Sequence, residues 1–111
     1  MKITNFDEFV VLEDEKDNLK NFSEFLMYQI EKKFKGQNVV IDLSKNTELN
    51  LDELLYFLPV SNLHRATKCS FVLLNNAINP DDIPPEIIVV PTMTEAKDII
   101  EMEEIERNLG F

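Results

Sequence analysis

The chain has 111 residues, enough for one ordinary domain and too few for two. Apolar residues make up 44% and charged residues 29%, a globular balance whose core needs no metal or disulfide staple. With 21 acidic residues against 11 basic ones the net charge is −10, which argues against nucleic-acid phosphates and anionic membrane surfaces and leaves basic partners or plain acidic solubility.

Residues 2–13 predict a short β ribbon: Lys2–Asn5, a polar turn at Asn5–Glu8, then Phe9-Val10-Val11-Leu12. Glu13–Asn18 reads as a solvated acidic loop. Asn21-Phe22-Ser23-Glu24 has the spacing of a capping box and opens the first helix, with Asn18 as an alternative start. Phe22, Phe25, Leu26, Ile30 and Phe34 recur every three or four residues and predict its buried face. Lysines load its last turn, and Gly36 supplies a left-handed stop.

Val39-Val40-Ile41-Asp42-Leu43 is apolar on both alternating faces apart from Asp42, the pattern of a central strand covered by helices. A second helix opens at Asn50 with Glu53 three residues on, and Leu54, Leu55, Phe57, Leu58 and Leu63 supply its buried side. Pro59 lies within it and predicts a kink or break. Ser70–Leu74 is another buried strand, Asn75–Pro85 a loop with three prolines, and Ile87–Val90 a third buried strand. Thr92 and Glu95 frame a further capping box, and the last helix runs to about Leu109 before Gly110. Ala96, Ile99, Ile100, Met102, Ile105 and Leu109 read as one broad apolar stripe, packed on the sheet or pairing with a second copy. The alternation predicts an α/β domain over 1–111, with a mixed, mostly parallel sheet and flanking helices.

Several chemistries are excluded. The single cysteine, Cys69, allows no internal disulfide or cysteine zinc cage, and Gly36 and Gly110 are too few for a phosphate-cradling loop. Acidic residues interrupt the first eight positions before an apolar segment can form, so no secretory signal is read there. Purely apolar runs stop at four or five residues, against the ~20 of a membrane helix. The expectation is a cytoplasmic, non-enzymatic protein without cofactor or metal, acting on neither nucleic acid nor membrane.

The element order, and the stretch Val39-Val40-Ile41-Asp42-Leu43-Ser44, resemble the STAS family of sulfate-transporter and anti-sigma-factor-antagonist domains. That resemblance implies a STAS-like fold and a regulatory module that binds a protein partner. In that family a helix opening Asp-Ser-Ser/Thr-Gly follows the strand; counting on from Asp42, this slot holds Asn50-Leu51-Asp52-Glu53. Leu51 occupies the position of the phosphorylated serine and cannot take a phosphate. A shift of one residue would place Asp52 there, with a fixed negative charge. The Asn75–Pro85 loop also replaces a helix that the family often has.

Candidate residues follow from both lines. Glu48, Asn50, Leu51 and Asp52 form a helix-start corner that would meet a partner, basic in character given the acidic residues around it. For Asn50 and Glu53 simple capping of the helix is the favoured reading. Asp42 either caps the turn after its strand or lines a small-ligand site at the carboxyl edge of the sheet, where ligands of open α/β sheets bind. His64 is expected at the surface or a helix end, Cys69 as a small buried hydrophobe, and Ser44 as a loop-initiating residue. Asp98, Glu101 and Glu104 recur along one helix strip, either as a solvated face or as carboxylates meeting a divalent ion.

Overall fold

The computed structural model describes residues 1–110. Its strands are β1 (Lys2–Asn5), β2 (Val10–Glu13), β3 (Val39–Asp42), β4 (Phe71–Leu74) and β5 (Ile88–Val90). Its helices are α1 (Leu19–Lys33), α2 (Leu51–Leu55), α3 (Leu58–Arg65) and α4 (Met93–Asn108). The five strands form one sheet in the order β1-β2-β3-β4-β5, antiparallel between β1 and β2 and parallel from there on. This is the mostly parallel α/β architecture that the alternating pattern predicts.

Period-two alternation divides the strand residues between two cores. Val10, Leu12, Val39, Ile41, Phe71 and Leu73 face α1, α2 and α3, while Val11, Val40, Val72, Leu74 and Val90 face α4. Ile78 and Ile83, in the connection from β4 to β5, also pack on the first side. Neighbouring parallel strands in sequence order return by crossovers of one hand, so every connection from β2 to β5 lies on the same side of the sheet. α4 has the other side to itself.

Several local expectations change. α1 starts at Asn18, whose side chain accepts the Asn21 N–H at 3.1 Å, so Asn21 lies inside the helix. The earlier start brings Leu19 into the core beside Phe22, Leu26 and Ile30, whereas Phe25 stays 43% exposed. The Glu13–Asn18 stretch is not merely solvated: Asp14 is buried and its carboxylate accepts the backbone N–H groups of Lys16 and Asn18. Gly36 takes φ +78° just past α1, as a C-terminal glycine should. Pro59 does break the second helix, α2 ending at Leu55 and α3 restarting with the proline in its first turn, where its missing N–H costs nothing. Leu55, Leu58 and Leu63 are half-buried, and the inner face of α3 is Val60, Ser61 and His64 instead. β5 is an edge strand with only Val90 fully inside.

The last helix departs most. Ala96 and Ile100 are buried and Ile99 is half-buried, but Met102, Ile105 and Leu109 are 58%, 59% and 66% exposed. At about 100° per residue the two sets lie on opposite faces of the helix, so the apolar positions form two stripes rather than one. Thr92 caps α4 by accepting the Glu95 N–H at 3.2 Å, but the Glu95 carboxylate meets the Thr92 hydroxyl and leaves the box one-sided.

Candidate functional site

The carboxyl ends of β2, β3 and β4 meet at one edge of the sheet, and short polar side chains hold the loops there. Where β3 ends, one Asp42 oxygen accepts both the Ser44 N–H (2.9 Å) and the Ser44 hydroxyl (2.6 Å). Asp42 therefore closes a tight turn, and Ser44 is the loop-initiating residue expected of it. The chain turns again at Asn46, then buries Leu49 in the larger core. Asn75, placed by β4, donates to the carbonyls of Leu43 (2.9 Å) and Asn46 (3.0 Å) and accepts from the N–H groups of Ala77 and Ile78. One buried amide thus ties two loops to each other. Sequence reasoning missed it, although an asparagine directly after a fully apolar strand was a usable signal.

α2 grows from this anchored loop. The Asn50 side chain accepts the Glu53 N–H at 2.9 Å, and the Glu53 carboxylate accepts the Asn50 N–H at 3.2 Å, a complete capping box. Those two residues are committed to the helix start. Their neighbours are not: Glu48 and Asp52 are exposed and make no hydrogen bond or ion pair among the described residues, and Leu51 is 37% exposed. A shallow polar cleft of about 440 Å³, lined by Asn46, Thr47, Glu48 and Glu53, lies alongside. The four predicted corner residues divide into one that builds the helix and three that are available to something else.

Asp42 does not join them. It shares the strand alternation of Val40 and lies on the α4 side, whereas α2 buries Leu54 on the opposite side. A larger recess of about 480 Å³ lies where β2 leads into α1, between Asp14, Lys16 and Asn21 and the rings of Phe22 and Phe25. Close by, the Lys45 ammonium bonds the Asp14 carbonyl and lies 3.5 Å from the Asp17 carboxylate.

No protein-family model and no curated protein matches the chain.

His64 lies at a helix end, the last turn of α3, but not at the surface: it is 1% exposed, with its ring edge-on to Phe71. Its Nε2 is 2.6 Å from the Gln37 carbonyl, which accepts only, so Nε2 carries the proton; buried Nδ1 has no partner. Burial pushes the imidazole below its ordinary range, against the smaller upward pull of the Gln37 carbonyl and the Glu31 charge. This is a neutral core histidine. Its place inside the apolar pattern of α3 was the signal that it faces inward.

Cys69 is buried, as expected for a small hydrophobe. Glu104 leaves the acidic strip of α4 to accept the Asn38 amide at 2.6 Å, and among the described residues no three His, Cys, Asp or Glu side chains converge to hold a metal ion. Asn38 is the centre of the opposite edge of the sheet. It donates also to the Glu8 carbonyl and accepts from the Ser70 N–H (2.9 Å) and the Arg107 guanidinium (3.3 Å). The last turns of α4 are held to the sheet by this polar latch, with Arg65 and Glu103 in a further contact at 3.7 Å. No helix among the described residues is long and apolar enough to cross a membrane.

Proposed function

We propose that the chain is a non-enzymatic regulatory module of the STAS-like kind, acting in the cytoplasm by binding a protein partner through the corner at the start of α2. Glu48, Leu51 and Asp52 form the contact around the Asn50 cap, and the partner surface they meet is basic. The observation that carries this reading is the division of labour at the corner. Asn50 and Glu53 complete the capping box, so Leu51 and Asp52 are not needed to start the helix, yet an apolar side chain stands open there between two carboxylates without partners among the described residues. An apolar anchor rimmed by charge is the usual anatomy of a small interface. With Leu51 in the serine slot, the module works without a phosphorylation switch.

The test is affinity capture of the tagged protein from its native lysate, with Leu51→Asp and Asp52→Lys as controls. Both exposed substitutions should leave the melting temperature nearly unchanged while one enriched protein disappears. Undiminished capture in both variants removes the corner from the reading. A second reading, a small-ligand site at the carboxyl edge, is favoured by the recess beside Asp14 and Phe22 rather than by Asp42. It requires a ligand-dependent rise in melting temperature across a metabolite and nucleotide panel, and a flat response dismisses it.

A further inference from the structure

The inner face of α4 is fully accounted for by Ala96 and Ile100 against the sheet and by Arg107 on Asn38 and Ser70. The outer face is not. Met102, Ile105 and Leu109, spaced by three and four residues, form a continuous apolar line on the side turned away from the sheet. That spacing is the seam by which two helices pair. Asp98 continues the line towards the helix start, and Glu101 and Glu106 border it, all three exposed. Along the whole helix six acidic side chains stand against two basic ones.

We propose that this face is a second docking surface, and that its occupant is a basic amphipathic helix of a protein partner. The flanking charges choose between occupants. Residues beside an apolar seam set partner identity by charge, and here the charged flanks, Glu101 and Glu106, are both carboxylates, beside the neutral Thr94 and Asn108. A second copy of this chain would bring like charges together across the seam, on a molecule already at −10. A helix with leucines on one stripe and lysines beside it satisfies both the seam and its borders, giving a salt-sensitive contact. The surface is separate from the α2 corner and does not depend on it.

The test uses the full chain and two synthetic helical peptides with identical leucine seams, one flanked by lysine and the other by glutamate. Fluorescence anisotropy should show binding of the lysine peptide alone, weakening as salt is raised. Ile105→Ser should weaken it about tenfold with the melting temperature unchanged, because the side chain is already in solvent. Leu51→Asp should leave it unaltered, which separates this surface from the corner. Equal binding by Ile105→Ser and the parent protein overturns the proposal, as does equal binding of the glutamate peptide. Sedimentation showing a homodimer that Ile105→Ser dissolves overturns it in favour of a second copy.

Discussion

The two sides of the sheet are covered on different terms. One side receives every connection between β2 and β5, so α1, α2, α3 and the Asn75–Ile87 segment together close it. The other side receives α4 alone. A helix about 10 Å across spans roughly two strands set 4.8 Å apart, and α4 lies on β4 and β5. Towards β2, Phe9 is buried with Phe6 stacked on it, ring centroids 5.0 Å apart. On the crowded side the apolar positions of the helices are mostly spent on the core. On the sparse side a single helix needs only one narrow stripe against the sheet, and a second stripe is left facing outwards.

The largest effect should come from the crowded side. Leu26→Ala, at a fully buried position of α1, should cost about 3–4 kcal/mol in denaturant unfolding, because surrounding elements cannot collapse into the space. Ile100→Ala beneath α4 should cost about 2–3 kcal/mol, since a lone helix can settle onto the sheet. Equal losses would mean that α4 is held as rigidly as α1.

Next come the polar staples at the two sheet edges. Asn75→Ala removes the amide that bonds the Leu43 and Asn46 carbonyls and the acceptor of the Ala77 and Ile78 N–H groups, and should cost about 2 kcal/mol, with hydrogen exchange accelerating in both tied loops. Asn38→Ala should free the last turns of α4 selectively, seen as faster exchange after Glu104 and little change in α1.

The core histidine gives a smaller, pH-dependent effect. Its folded pKa lies below its ordinary value of 6.5, so the unfolded chain binds the proton first on acidification. The stabilising contribution is complete above that value and declines as pH falls through it towards the folded pKa. Between about pH 7 and pH 5 the melting temperature should therefore fall more steeply in the parent protein than in His64→Gln. Parallel slopes would show that His64 titrates alike in both states.

Least affected should be the two exposed surfaces. Leu51→Asp and Ile105→Ser should each change stability by less than about 0.5 kcal/mol. A larger loss at either would mean that the side chain supports the fold rather than awaiting a partner.

Much of this molecule follows from local pattern. The strands at Val39, Phe71 and Ile88, the break at Pro59, the stop at Gly36 and the Asn50 box are legible because propensity, alternation and capping act over a few residues. The unmatched corner residues were legible as candidates, but not the division between Asn50 and its neighbours, which requires knowing where each carboxylate and amide ends up. Periodicity says that apolar positions share a face, and it does not say which neighbour that face meets. Only the tertiary structure decided which groups the Asn38 and Asn75 amides bond, that Phe25 stays at the surface, and that the His64 ring meets Phe71 and the Gln37 carbonyl. It also decided that α4 carries one stripe inward and one outward. The reason is that burial belongs to pairs of elements: the strand order left one side of the sheet to a single helix, and no window along the chain contains that fact.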